Sequence, residues 1–392
     1  MTKLLTRLLG RLPIGWMQLL HNRRRLAVAV GGVAFANVLI FMQLGFMDAA
    51  IETGLFTHDA FNADVVLVSS SFQSLNETKP IPSSRMYQAL AMPGVTEGTL
   101  VYLATAAWTE SFSGNTRRLR VIGVDPDANV FQDSALNRSI SMLREPDTAL
   151  VDRQTRELHP AIHEAVSKHG HFEVEINGRR IVFSSFFSIG ASFETDGTLV
   201  VSDQTFFRLF PTRGRQTPSL ALLKTDPAKD VNQVAANIAS LMPEGDVQAF
   251  SKRDWIEAER NYQATEKPVG FVFGFGVALG LVVGIVIVYQ VLATDVQDHL
   301  SEYATFKAIG YPRSFFLSIV FEQAATLATL GFIPGLVTSL LLYDFASDAT
   351  DLPMNMPWMR PVLVLLLTFT MCALSGAIAT RRLSAADPAE LF

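Results

Sequence analysis

Four histidines, His159, His163, His169 and His171, crowd into one short stretch with Glu164 among them. The first two stand four apart, so a helix would carry both imidazoles on one face, the arrangement with which paired histidines hold zinc. A zinc site also needs a third ligand at a recognised spacing, and the chain has no HExxH, no paired cysteines and no serine elbow. The cluster is therefore read as the polar, solvated end of a helix, with metal binding as the alternative. Glu322 is the one acid well inside an apolar run, where desolvation is costly and an ionisable group is by default a functional candidate. It lies within about two helical turns of the end of its run, so contact with interfacial water or a cationic side chain competes with a proton-relay role. The single cysteine, Cys372, excludes an intramolecular disulfide and sits in an apolar run as a small packing residue. No GxxxxGK[ST] loop is present to cradle nucleotide phosphates. The chain reads as non-catalytic, with no metal and no cofactor of its own; any ATP and Mg it depends on must be held by another protein.

The elements that position these residues follow from composition. Of 392 residues 49% are hydrophobic and 18% charged, with a mean hydropathy of +0.26. That is too apolar for an ordinary soluble enzyme and too mixed for a bundle of membrane helices alone. About 20 consecutive apolar residues cross a bilayer as a helix, and four stretches qualify: 26–46, interrupted by Asn37 and Gln43; 269–292, uncharged; 315–342, with Glu322 and Gln323 near its start; and 361–379, uncharged. Cationic loops stay on the cytoplasmic side. Arg23, Arg24 and Arg25 precede the first run, Lys307 and Arg313 lie between the second and third, and Arg381 and Arg382 follow the fourth. The 343–360 loop instead sets Asp344, Asp348 and Asp351 against Arg360. The expectation is a multi-pass protein with both termini in the cytoplasm. Its parts would be a cytoplasmic segment 1–25, an exterior α/β domain 47–268, a cytoplasmic loop 293–314, an exterior loop 343–360 and a cytoplasmic tail 380–392.

The first run is too long for the apolar core of a signal peptide, so it is expected to be kept. Before it, Leu4, Leu5, Leu8, Leu9 and Leu12 recur at helical spacing between Lys3, Arg7 and Arg11, which suits a helix lying in the inner interface with Trp16 as anchor. A frayed basic tail is the alternative. Gly270, Gly274, Gly276, Gly280 and Gly284 give overlapping small-xxx-small spacings in the second run, letting a backbone of the same chain or of a second copy approach closely. A net charge of -5 lacks the basic face that nucleic acid requires.

The exterior segment reads as a folded module. Strands are expected over 64–69, 119–124, 198–202 and 219–223, and helices over 83–90 and 228–241. Residues 172–176 and 179–183 alternate around Asn177-Gly178, a hairpin with a type I′ turn. In the middle loop Leu300, Tyr303, Thr305 and Phe306 intermix with Asp298, Glu302 and Lys307, which suggests a short amphipathic helix. Gly310 offers its stop before Tyr311-Pro312. Such a helix can act as a rigid lever; an ordinary elbow between two membrane helices is the alternative.

One helix, a large exterior domain and then three helices resembles the order of the MacB/FtsX-type permeases of ABC systems. More closely, IGWMQLLHNRRRLAVAVGGVAF, FMQLGFMDAA, ADVVLVS, LRVIGVDP, FKAIGYPRSFFLSIVFEQA, LGFIPG and RRLSAADPAELF resemble the DevC family of exporter permeases. The matches span both ends and much of the exterior domain, with few between 130 and 215. The resemblance implies a MacB-like (type VII ABC) architecture in the inner membrane of a diderm bacterium. It implies as partners a second copy of the chain, a DevA-like ATPase that binds ATP and Mg, a DevB-like periplasmic adaptor and an outer-membrane channel. Glu302, Tyr303, Phe306, Lys307, Ala308, Ile309, Gly310 and Tyr311 then occupy the position that docks on the ATPase, with Lys307 as a polar contact and Gly310 as the helix stop. The implied action is mechanotransmission, in which exterior domains move and push out a lipid, glycolipid or other amphiphile. An FtsX-like signal transmitter, which regulates a periplasmic cell-wall hydrolase and moves no cargo, has the same topology and is the alternative. A self-sufficient ion-coupled carrier would have to work through Glu322 or the histidines.

Overall fold

The computed structural model describes residues 13–243, 245–299, 302, 305–306 and 309–385. The leucine–arginine preface 1–12, the predicted coupling residues Tyr303, Lys307 and Ala308, Leu300, and the end of the tail lie outside the described residues. Contacts divide the chain into two compact units, Met1–Ala49 with Phe271–Phe392 and Ala50–Gly270.

In chain order, α1 (Ile14–His21) and α2 (Arg23–Ala60) lead into a mixed module. Its elements are β1 (Val65–Ser69), α3 (Ser84–Leu90), β2 (Val95–Thr109), β3 (Thr116–Val124), α4 (Ser134–Ile140), β4 (Thr148–Asp152), α5 (Pro160–His169), β5 (Phe172–Ile176), β6 (Arg179–Phe187), β7 (Gly197–Ser202), α6 (Asp203–Leu209), β8 (Leu220–Thr225), α7 (Val231–Leu241), β9 (Val247–Ser251) and α8 (Lys252–Thr265). Three long helices follow among the described residues, α9 (Pro268–Asp298), α10 (Arg313–Thr350) and α11 (Met359–Ala385). Four of these helices, α2, α9, α10 and α11, are long and apolar enough to cross a membrane. The fold is thus four spanning helices with an α/β module between the first and the second.

Within the 50–270 unit the strand order is β3-β7-β4-β6-β5-β2-β8-β1-β9, with β3 also paired to β2. Strand β2 serves both halves: Val95–Val101 pair with β8, and Tyr102–Thr109 pair with β3. The β2–β3 pairing closes six strands into a ring, joined at β5 through the single pair Trp108↔Ile176. The other half, β2-β8-β1-β9, is a split β-α-β sheet in which α3 connects β1 to β2 and α7 connects β8 to β9. Both of its faces are covered. Val65 and Leu67 of β1 pack with α3 and α7, whereas Val66 and Val68 pack with Trp255 of α8. This accounts for the uninterrupted apolar run of β1, all of which is buried.

Local chemistry sets the turns. Asn177 and Gly178 adopt φ of 51° and 72° between Ile176 and its partner Arg179, as a type I′ hairpin requires. His159 is the N-cap of α5, its Nδ1 accepting from the Ala161 N–H at 3.1 Å, and it stacks on Phe112. His163 stacks on Phe186, and burial together with the Arg153 charge holds it below the ordinary imidazole range. Among the described residues no three metal-ligating side chains converge.

In the bundle unit α2 is the hub. Gly32 abuts Ile287 of α9, and Gly331 and Gly335 of α10 abut Val33 and Asn37 of α2. Thr368 of α11 donates to Asn37 Oδ1 at 2.7 Å, which gives an otherwise costly intramembrane amide a polar partner. At the end that carries 343–360, Arg360 donates to the Tyr343 hydroxyl at 2.9 Å and to the Asn355 carbonyl at 2.8 Å, and it pairs with Asp48 of α2. The Tyr343 hydroxyl in turn donates to the Phe41 carbonyl. The arginine of this acidic loop therefore ties α11 to α2 and α10, and nearby Trp358 is 77% exposed, as an aromatic at a membrane surface is.

Candidate functional site

The opposite end of the bundle carries 293–314, with Glu322 and the described residues of the predicted coupling segment. Helix α9 does not stop with its apolar run but continues to Asp298. The continuation carries Asp295 on the same face as buried Leu292 and Val296, and its carboxylate is 6% exposed. Gln323 Nε2 of α10 donates to Asp295 Oδ2 at 2.5 Å and to Gln18 Oε1 of α1 at 3.2 Å. Arg25, at the start of α2, lies 4.0 Å from Asp295, pairs with Asp298 at 2.6 Å and donates to the Val291 carbonyl at 3.2 Å. A buried carboxylate is tolerable only with such partners. Glu302 accepts from Gln18 Nε2 at 3.5 Å.

Glu322 is placed by α1. Its Oε1 accepts from the Trp16 backbone N–H at 3.0 Å, one of the first-turn donors that no helix can satisfy internally, and a carboxylate there also opposes the positive end of the helix dipole. Gly15 lies so close to α10 that a Cβ on it would stand 2.8 Å from the Ile319 carbonyl. Over the described part Trp16 and Leu19 are buried while Met17 and Leu20 are exposed, so α1 is docked on α10 with one apolar face left outward.

Beyond Glu302 the segment ends in a defined motif. The Ile309 N–H donates to the Thr305 carbonyl and the Tyr311 N–H to the Phe306 carbonyl, both at 3.1 Å, around Gly310 at φ 100°. The second bond and the positive φ make a Schellman stop with glycine at C′. The aromatic contact of Phe306 with Tyr311, centroids 5.7 Å apart, supplies its apolar clasp. Ile309 is 68% exposed. Asp295 and Gln18 were not singled out by sequence reasoning, which read Arg25 only as a sign of orientation and Gln323 only as a polar residue near the start of its run. The available signal was Asp295 at +3 from Leu292, a lone acid continuing an apolar helical face.

The glycine stripe of α9 divides. A Cβ on Gly280 would meet Ile40 Cγ1 at 2.9 Å, Gly276 abuts Gln43 and Gly284 abuts Met371, all within the chain. Gly270 lies against the Ala264 carbonyl at the α8–α9 turn, and around Gly274 nothing among the described residues lies within 4 Å. Gly280→Leu is expected to destabilise the bundle by about 1–3 kcal/mol through overpacking, read as a lowered melting temperature in detergent. Gly274→Leu should leave that temperature unchanged.

A second polar cluster is buried in the 50–270 unit where α2 ends. His58 and Glu259 are both inaccessible, with Nε2 3.4 Å from Oε2. The Leu75 N–H donates to Glu259 Oε2 at 2.8 Å, Gln263 Nε2 donates to Oε1 at 2.7 Å, and His58 lies 4.2 Å from the Trp255 ring. Arg120 donates to Thr57 and Asn76. Nearer the surface Arg260 bonds Glu52 at 2.8 Å, so the last turns of α2, from Glu52 to His58, are bridged to α8.

Residues 274–388 match the FtsX-like permease C-terminal family, a stretch that holds most of α9 and all of α10 and α11, three of the four helices long and apolar enough to cross a membrane. No curated protein sequence matches it. Among solved structures it overlaps the periplasmic region of MacB from Actinobacillus actinomycetemcomitans at 9% identity, covering 50% of this chain and 92% of that one with a TM-score of 0.33. It also overlaps the extracellular domain of the noncanonic ABC-type transporter YknZ from Gram-positive bacteria at 9% identity, covering 48% and 100% with a TM-score of 0.33.

Proposed function

We propose that this chain is the permease subunit of an ABC-type exporter of the DevC kind, in which a separate ATPase acts on the 302–311 segment. The observation that carries the reading is the FtsX-like permease domain over 274–388, within which the segment between α9 and α10 ends in an ordered Schellman stop with an exposed apolar residue, Ile309, beside it. The sequence resemblance supplies the rest: a homodimer in an inner membrane with both termini cytoplasmic, a DevA-like ATPase holding ATP and Mg, a DevB-like periplasmic adaptor and an outer-membrane channel. Lys307 is the proposed polar contact to the ATPase. The cargo class is a lipid, glycolipid or other amphiphile, reached from the bilayer and expelled by motion of the 50–270 unit.

The FtsX-like domain match fits a second reading equally, a signal transmitter whose outer domain regulates a cell-wall hydrolase. Affinity purification of the chain in mild detergent, with mass spectrometry of its companions, separates the two. An ATPase with a periplasmic adaptor is expected; an ATPase with a hydrolase would favour the transmitter, and no ATPase at all would end both readings.

A further inference from the structure

We infer that α1 is a working part of the coupling site, a strap that joins the 302–311 segment to α10, and that Glu322 is the positioning residue that seats it. This rests on the exporter reading for the source of the movement, but the contacts themselves belong to the chain. On one side, Gln18 of α1 donates to Glu302. On the other, α1 meets α10 at three places: the Trp16 N–H on Glu322, Gln18 on Gln323, and the backbone approach of Gly15 to Ile319. Gln323 continues the connection to Asp295 of α9, and only Asn22 separates α1 from α2. One short helix thereby touches, or is joined to, each element that must respond when a partner pulls on the segment.

The chemistry of the joint suits a seat that holds without locking. A carboxylate on a first-turn N–H is attracted to the positive end of the helix dipole, and the neutral Gln18–Gln323 bond adds register without a second charge. The Gly15 backbone leaves no room for a side chain, so α1 sits at one depth on α10. A membrane carboxylate otherwise open to a relay reading thus has a structural task at a helix end.

The test is hydrogen exchange on the full chain bound to its ATPase, comparing nucleotide-free complex with complex holding a non-hydrolysable ATP analogue. The expected result is a nucleotide-dependent change in exchange over 14–21 that accompanies the change over 302–311. Glu322→Lys, which sets a like charge against the helix end, should lower protection of the Trp16 amide at least about tenfold. It should also abolish the response of 14–21 while that of 302–311 persists. Glu322→Gln keeps an acceptor and the side-chain volume, so it should fold even if the lysine variant does not, and its α1 response should be reduced but present. A nucleotide response over 302–311 with none over 14–21 in the unaltered chain would overturn the inference and leave the exporter reading standing. So would an unaltered 14–21 response in Glu322→Gln together with Glu322→Lys. No response in either segment would overturn the exporter reading and, with it, the strap.

Discussion

Gly310→Val is expected to cut capture of the ATPase by this chain at least about tenfold while leaving the chain folded and inserted. Gly310 holds φ at 100°, a region that a β-branched residue avoids, and no neighbour among the described residues lies within 4 Å of where a Cβ would stand. The substitution therefore acts through the backbone alone. The chain relieves the strain by giving up the Tyr311-to-Phe306 bond and the aromatic clasp across it, which re-aims Ile309 and the residues before it. A left-handed conformation costs an ordinary residue roughly 1–2 kcal/mol, and the β-branch adds to that, so affinity for a partner that reads the ordered stop should fall by at least about tenfold. Gly310→Asn, which tolerates positive φ better, should retain more of the interaction. The measurement is the amount of ATPase recovered with each variant from equal amounts of membrane-inserted chain. Equal recovery with Gly310→Val would remove 302–311 from the docking role.

The same motif illustrates what the sequence makes legible. Gly310 before Tyr311-Pro312, and Asn177-Gly178 between two alternating runs, are local signals: the residue types that tolerate positive φ stand where the chain turns, and no distant partner is needed to read them. The spanning helices are legible for a similar reason, since their environment is uniform and apolarity alone selects it. Strand β2 was not expected. Its run Val95–Thr109 contains Glu97, Gly98 and two threonines in its first five residues, and its first half pairs with β8 and its second with β3, strands about a hundred residues apart in sequence. No single alternation describes a strand that passes from one sheet to another.

The polar joints were hidden for a different reason. A buried stripe is sought as an apolar one, yet α8 buries Trp255, Glu259 and Gln263, two polar residues out of three at a spacing of four. In α9 the residue that matters at the bundle end, Asp295, lies beyond the apolar run and looks like the start of a loop until the helix is seen to continue. Glu322 was noticed because it is a charge in an apolar context, but its partner is a backbone N–H more than three hundred positions away, and backbone groups leave no mark in composition.

Glu259→Ala should produce the largest loss of stability in the 50–270 unit. The carboxylate faces His58, the Leu75 N–H and Gln263, with Arg120 close enough to feel its charge. Removing it leaves the buried Leu75 N–H without its acceptor and His58 and Gln263 without the carboxylate they face, a change that costs about 3–5 kcal/mol when one member of a buried pair is deleted. In a unit of this size that lowers the melting temperature by roughly 10 °C. Glu259→Gln keeps an acceptor for Leu75 and should lose less. The pH dependence has a definite sign. Burial pushes the Glu259 carboxyl up, but the neighbouring His58 and the bonds from Gln263 and Leu75 outweigh it and hold it below the ordinary glutamate range. A carboxyl depressed in the folded state contributes stability above its unfolded value, near 4.3, and loses it as pH falls through the lower folded value. The gap in melting temperature between the unaltered chain and Glu259→Gln should therefore be full at neutral pH and narrow as the pH drops below about 4. Thermal unfolding of the full chain in detergent across that range measures both effects. A gap that widened on acidification would mean that the carboxyl is held protonated, and the joint between α2 and α8 would then be a neutral hydrogen-bonded one rather than a charged one.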